Sequence, residues 1–394
     1  MAKTDWPIKT LGEVAVVNPS EPALSEDAPF VPMDAVTSGK RDIQYTQPRG
    51  QRSGARARAG DILFARITPC LQNGKVALVQ DELARCGGST EFIVVRAGPD
   101  VLNGYLYQWI TSDHVRDEVT ALMKGATGRQ RLNAEDLALA ELPVPPLEEQ
   151  KRIVALLDAA TARVTELTAC YEQARTHANN LFTSALRDAL ESNPDWPVKT
   201  LGDICRIEMG RTPSRGDSKG WDKAFKTTNH WASIADLTAC NGRVLTNTKE
   251  RISDYAAKTT KVVPAGTLMM SFKLSIGKLA FAGCDLYTNE AIAAFHLHEQ
   301  SGVDSDFLYW ALSVVDWSAL TKGSEKVKGA TMNKAKLNLL EIPVPPLEEQ
   351  KQIVARLDSM RAKTSEMVAA YDAKLTAAKN LRQSILEAAF AGDL

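Results

Sequence analysis

The sequence predicts an α+β protein made of two tandem copies of one unit. Two α/β-mixed globular domains are each followed by a long helix, and the helices pair as an antiparallel two-helix coiled coil with pseudo-twofold symmetry. Three observations predict this. Asp5-Trp6-Pro7-Ile8-Lys9-Thr10-Leu11-Gly12 returns as Asp195-Trp196-Pro197-Val198-Lys199-Thr200-Leu201-Gly202, 190 residues later. Pro143 to Lys151 returns as Pro343 to Lys351, 200 residues later. Each second motif opens a stretch of some forty residues with no interior Gly or Pro. A period of this size is too long for a solenoid and means a duplicated domain with an appendage.

The elements follow in order. Four segments are apolar, rich in β-formers and bounded by turn residues, as strands are: Asp61 to Arg66, Phe92 to Val95, Thr267 to Phe272 and Ala291 to Phe295. Leu102 to Ile110 and Phe307 to Leu312 read as short helices. Prolines 143, 145 and 146 then precede Glu148-Glu149, which suits the start of a helix, where acidic side chains meet the positive end of the dipole. Apolar residues follow in alternating steps of four and three: Ile153, Leu157, Ala160, Val164, Leu167, Tyr171, Ala174, Ala178, Leu181, Ala185. The second copy runs Ile353, Leu357, Met360, Thr364, Met367, Tyr371, Lys374 as a break, Ala378, Leu381, Ile385. That is a coiled-coil seam. Such a helix spans roughly 65 Å, too long for the interior of a small domain. The expected boundaries are a domain over 1–141, a helix over 142–191, a domain over 192–341 and a helix over 342–394. An antiparallel pair would act as a spacer with a globular head at each end.

Composition narrows the class. The 394 residues carry 47 Lys and Arg against 48 Asp and Glu, a formal net charge of −1, with 44% hydrophobic residues. This is an ordinary globular balance, not a histone-like coat for DNA. No apolar run reaches the length of a membrane span, and the N-terminus lacks a signal-peptide core, so the expectation is a cytoplasmic protein without membrane contact. The cysteines, Cys70, Cys86, Cys170, Cys205, Cys240 and Cys284, form no C-x-x-C pair and read as small buried hydrophobes.

A search for chemistry finds little. Gly74-Lys75 and Gly277-Lys278 are followed by Val76 and Leu279, so they are no phosphate cradle, and no G-x-G-x-x-G follows a strand. Asn193-Pro194-Asp195-Trp196 is faintly like the Asn-Pro-Pro-Tyr motif of adenine methyltransferases, but its third position is wrong, and it reads as a linker. His296 and His298 alternate on a strand with no third ligand beside them. The expectation is a non-catalytic chain without a metal.

The charge is balanced by segment, at −2, −2, +3 and zero for the four segments above, yet clustered locally. Arg49, Arg52, Arg56 and Arg58 share a run with no acid. Arg211 and Arg215 sit in Gly210-Arg211-Thr212-Pro213-Ser214-Arg215, and Lys219, Lys223 and Lys226 follow. Lys322, Lys326 and Lys328 match a basic loop of the first copy that carries Arg129 and Arg131. Gly-rich loops with Arg and Lys can approach phosphates closely, and arginine reads guanine edges bidentately. Any one such loop can be merely solvated; four of them favour nucleic acid. From the residues alone the chain is a bivalent binder with two diverged heads on a helical spacer.

At this point the sequence resembles the specificity (S) subunits of Type I restriction–modification systems. The resemblance rests on Leu142-Pro143-Val144-Pro145-Pro146-Leu147-Glu148-Glu149-Gln150-Lys151-Arg152-Ile153-Val154 and its second occurrence at 342–354. Trp6 to Gly12, Gly60 to Leu63, and Gly210 to Ser214 with Trp231 and Asp236-Leu237 support it. The first copy departs from it, with Val17-Asn18-Pro19-Ser20 where a G-x-T-P-S stretch would stand. The resemblance implies two target recognition domains that read the halves of a split, asymmetric double-stranded DNA site. It implies helices that set the gap between half-sites and dock two methyltransferase (M) subunits, with restriction/translocase (R) subunits joining for cleavage in phage defence. S-adenosylmethionine would be bound by the M subunits, and adenine methylation or cleavage would belong to the holoenzyme. Docking would fall on Pro145, Leu147, Glu148 and Gln150 and on Pro345, Leu347, Glu348 and Gln350. A subunit of a related defence complex, a self-contained methyltransferase or nuclease, and a protein-binding adaptor are the alternatives.

Overall fold

A computed structural model describes residues 6–126, 128–191, 193–217, 219–240, 242–321 and 332–393. Two compact units emerge: residues up to 174 with 371 onward, and 175–370. Each therefore holds one globular domain, the start of one long helix and the end of the other.

In the first unit, strands Ala15–Val17, Phe92–Ala97, Ile62–Ala65 and Val76–Leu78 form an antiparallel sheet in that order. A second sheet is ordered Gln47–Pro48, Pro29–Val31, Arg85–Gly88, Ala55–Arg58. Ile62–Ala65 is buried at every position, as a central strand must be, and helix Asn103–Ile110 buries six of its eight residues beside it. The second unit repeats the plan. Strands Cys205–Met209, Ile292–Leu297, Leu268–Ser271, Leu279–Ala282 and Val244–Leu245 make one sheet. Glu250–Arg251, His230–Ala232 and Leu286–Thr288 make another, and helix Ser305–Ser313 packs within the same core. All four strands and both short helices expected from the sequence are present.

The duplicated Trp-Pro motif closes each domain. Ile8–Thr10 pairs antiparallel with Glu141–Pro143, and Val198–Thr200 with Glu341–Pro343. Chain entry and exit are thus clamped together where the long helix begins. The helices span Leu147–Leu190 and Leu347–Ala391. Ion pairs Glu148–Lys151 and Glu348–Lys351 close their first turns at 2.6 and 2.8 Å.

Within each unit the helices run antiparallel. Ile153 and Leu157 share a core with Leu386 and Ala389, and Phe182, Leu186 and Ala189 share one with Leu357. Tyr171 meets its repeat equivalent Tyr371 with ring centroids 6.3 Å apart. Equivalent residues meeting is what a local twofold between antiparallel helices demands.

The seam itself departs from the expected one. Leu167, Leu181, Met367 and Leu381 are exposed, at 45, 62, 45 and 50%, and Lys374 is exposed as well. Burial, whole or partial, falls instead on Thr168, Phe182 and Leu186 in the first helix and on Val368, Leu375, Arg382 and Leu386 in the second. A strict seven-residue repeat lags a straight 3.6-residue helix by about 20° per heptad. These helices stay closer to 3.6, so the buried stripe advances one position. Lys374 is then no break in the seam: its ammonium lies 5.4 and 5.6 Å from the Tyr171 and Tyr371 ring centroids. The cysteine expectation also needs correction. Cys86 and Cys205 are buried, but Cys170 is exposed on the first helix and the other three are half-buried.

Candidate nucleic-acid interface

The diverged loops project from a framework whose glutamine and aspartate joints recur in both copies. Gln150 and Gln350 are fully buried. The Gln150 amide donates to the carbonyls of Asp100 (2.9 Å) and Pro145 (2.8 Å), and its oxygen accepts from Leu102 N (2.8 Å). Gln350 does the same to Gly302, Pro345 and Asp304, each at 2.8 Å. Two turns on, Asp158 receives Arg41 (3.0 Å) and the Gln108 amide (2.7 Å), while Asp358 receives Arg243 (2.8 Å) and Trp310 Nε1 (3.0 Å). These bonds pin each domain to the helix that follows it. Neither aspartate is among the site residues expected from the sequence, although Leu157-Asp158 and Leu357-Asp358 recur 200 residues apart and repeated polar positions of this kind are a signal.

The proposed docking residues divide into two kinds. Pro145, Gln150, Pro345 and Gln350 are buried and hold the helix start in place. Leu147 and Leu347 stand exposed at 41 and 45%, beside exposed Glu148 and Glu348.

In the first domain the basic run forms a turn and the edge strand Ala55–Arg58. Several of its arginines are occupied. Arg49 donates to Leu24 O (3.1 Å), Arg52 to Pro48 O (2.8 Å), and Arg56 to Glu21 O (2.9 Å). Beneath them Arg96 bridges buried Asp61 and Glu21, each at 2.7 Å, and its hydrogen bond holds the Glu21 carboxyl below the usual carboxylate range. Arg129 and Arg131 lie on the hairpin Lys124–Ala126/Arg129–Arg131. Arg131 grips Glu91 through two nitrogens, at 2.9 and 2.6 Å, and its hydrogen bond lowers that carboxyl's pKa.

In the second domain Gly210 to Arg215 lies against strand Leu286–Thr288: Arg211 N donates to Thr288 O at 2.9 Å, and a Cβ at Gly210 would collide with that carbonyl, so only glycine fits. Trp221 and Trp231 meet edge to face, 4.9 Å between centroids, and their indole nitrogens donate to Ser214 O (3.1 Å) and Arg211 O (3.2 Å). The Arg215 guanidinium covers Trp221 at 4.0 Å and pairs with Glu250. These contacts tie the loop to both tryptophans. Among the described residues the side chains of Arg58, Arg129, Arg211 and Lys219 make no hydrogen bond or ion pair and are exposed. Lys322, Lys326 and Lys328 lie outside the described residues.

Two unlike sets of cationic loops thus stand on one duplicated scaffold. Among the described residues no three His, Cys, Asp or Glu side chains gather as a metal-binding group, and no helix is long and apolar enough to cross a membrane. A family model, "Type I restriction modification DNA specificity domain", matches residues 3–174 and again 193–377. The chain belongs to this family, the specificity subunits of Type I restriction–modification systems. It is 24% identical over 381 residues to the putative type I restriction enzyme MjaX specificity subunit of Methanocaldococcus jannaschii, covering 90% of this chain and 87% of that one. It is 36% identical over 292 residues to a putative type I restriction enzyme specificity subunit of Haemophilus influenzae, covering 70 and 68%. The HsdS subunit of Thermoanaerobacter tengcongensis superposes with a TM-score of 0.60 at 26% identity, over 99% of this chain and 98% of the other. A chain from a structure concerned with complex assembly and conformational transition of the type I R-M system superposes at 0.84, with the same identity and coverage.

Proposed function

We propose that this chain reads a bipartite, asymmetric double-stranded DNA target and brings methyltransferase and restriction subunits to it. The domain in 1–141 takes one half-site and the domain in 192–341 the other. The observation that carries this is the contrast between joints that recur at Gln150 and Gln350 and at Asp158 and Asp358, and loops that differ in length and in the contacts that hold them. Two identical partners require matching surfaces, whereas two unlike half-sites require unlike loops. The exposed apolar pairs Ile8 and Val198, Leu139 and Leu339, Leu147 and Leu347 support such a surface. With exposed Glu148 and Glu348 they recur once per copy, as docking of two M subunits would require. S-adenosylmethionine and the chemistry of adenine methylation belong to those partners, and this chain contributes position and selectivity.

Arg58, Arg129, Arg211 and Lys219 serve as free cations of the DNA face, and each contact to a phosphate adds about one unit to the salt slope of binding. Arg49, Arg52, Arg56, Arg131 and Arg215 shape the loops that carry them. Lys322, Lys326 and Lys328 are proposed for the second head on charge alone.

Methylome sequencing of the host, with and without this gene, tests the function. Methylation at a two-part motif should vanish without it. Exchanging the loops of 5–141 should alter one half of that motif only. A change in both halves would refute the two-head assignment, and methyl transfer by the purified chain alone would refute the subunit role.

A further inference from the structure

The connection from the first strand of one sheet to the next strand in the chain, which lies in the other sheet, is nearly twice as long in the second domain as in the first. It occupies 210–229, against 18–28. The extra length ends in a turn at 222–227 that presents Phe225. Its ring is 51% exposed, and its φ is +54°, a left-handed conformation that a bulky side chain strongly disfavours. The turn is nevertheless fixed. Asp222 accepts Thr227 N at 2.6 Å, Arg251 donates to the carbonyls of Thr227 (2.7 Å) and Phe225 (3.3 Å), and Thr227 Oγ1 donates to Ile252 O at 2.9 Å. An apolar ring held in water on unfavourable backbone serves folding poorly on two counts. Such conformations persist where surrounding bonds over-determine them, and they gather at functional positions.

The ring's surroundings say what it meets. Lys223 and Lys226 flank it, both exposed, and the Arg251 guanidinium lies 5.2 Å from its centroid. Phe225 also borders a cleft of about 410 Å³ that Arg215, Trp221 and Lys249 help to line. Two acids line the same cleft, Asp222 bonded by Thr227 N and Glu250 paired with Arg215, against the cations Arg215, Lys223, Lys249 and Arg251. Uncompensated cations attract phosphates, and an aromatic face standing among them offers stacking to a base. We infer that Phe225 is a base-contacting residue, whose ring stacks on a nucleobase of the half-site bound by the second domain. This rests on the DNA-recognition function proposed above and names the contact through which one head acts on the base stack.

The test uses the chain assembled with its methyltransferase subunits and a duplex carrying the motif that the methylome defines, with 2-aminopurine placed along the second half-site. Wild type should change the probe's fluorescence at one step. Phe225→Ala should abolish that change and weaken binding about 5- to 100-fold, the range of a lost base stack. The salt slope should stay fixed, because no phosphate contact is removed. Phe225→Trp should retain binding. Phe225→Gly, which suits the left-handed backbone, should melt no lower than wild type yet bind as poorly as Phe225→Ala, separating the contact from folding. Wild-type affinity in Phe225→Ala, equal binding by Phe225→Leu and Phe225→Trp, or loss of subunit assembly instead of DNA binding would each overturn the inference. An assembly that binds no duplex at all would overturn the DNA-recognition function and this contact with it.

Discussion

The two globular domains share the order of four strands in their main sheet and differ in what lies on it. At one position the difference is chemical and can be read directly. Arg96 and His296 occupy the same place on equivalent strands, each opposite the first strand of its sheet: Val16 pairs with Arg96, and Arg206 with His296. In the first domain Arg96 is locked between Asp61 and Glu21, with side chains 17, 1 and 9% exposed. In the second, His296 Nε2 lies 3.4 Å from Glu208, which Lys261 and Arg206 also reach, at 2.6 and 2.9 Å. A permanent buried network under one head is replaced by a titratable, more open one under the other. The framework residues that hold the domains to the helices do not vary in this way. A duplicated scaffold can thus keep its joints while each head rebuilds its interior around its own loops.

Removing the centre of the permanent network should have the largest effect. Arg96→Leu leaves the Asp61 carboxylate buried with its cation gone, and breaking one partner of a buried pair costs about 3–5 kcal/mol. Urea denaturation should show that loss, with hydrogen exchange rising in the first domain and not in the second. His296→Leu should cost far less, since Glu208 keeps Lys261 and Arg206. Equal losses would mean that the two interiors are not organised differently after all.

The joints give the next largest effect and should be the same on both sides. Gln150→Leu and Gln350→Leu each delete three hydrogen bonds in a buried site, leaving backbone groups without partners, at about 1–3 kcal/mol each. The two variants should match within a few tenths of a kcal/mol by denaturant titration. A clear inequality would show that the repeat is preserved in sequence but not in energetics.

The same contrast explains what the sequence made legible. The helices and the central strands announce themselves because a Gly- and Pro-free run and an all-apolar segment each have one physical meaning, whereas the duplicated Trp-Pro motif marks the repeat but not the clamp that it forms. The seam was misplaced at Leu167, Leu181 and Leu381 because a seven-residue count and a straight helix drift apart over forty residues. Of the candidate cations, the count of charges could not separate Arg58, with its free side chain, from Arg56, tied to Glu21 O. That depends on which carbonyls the chain folds beside them. Phe225 left no sequence signal at all, because a lone Phe among lysines becomes a feature only when a turn holds it outward.

pH should separate the two domains by the smallest margin. Burial, and next Arg206, lowers the His296 pKa from its ordinary value near 6.5. Burial, with Arg251, lowers that of His230 in the same domain. A group whose folded pKa is depressed contributes stability that is complete above the unfolded pKa and is lost as pH falls through the folded one. For the second domain that loss begins as pH drops below about 6.5. In the first domain the depressed groups are carboxylates, Glu21 under Arg96 and Glu91 under Arg131, so the same reasoning places its loss below about 4.3. Hydrogen exchange followed from pH 7.5 to about 5, with intrinsic rates corrected, should therefore show opening in 198–297 while 8–97 stays protected. His296→Gln with His230→Gln should flatten the second domain's response over that interval. Parallel responses of the two domains in the unmodified chain would sink the assignment of the difference to Arg96 and His296.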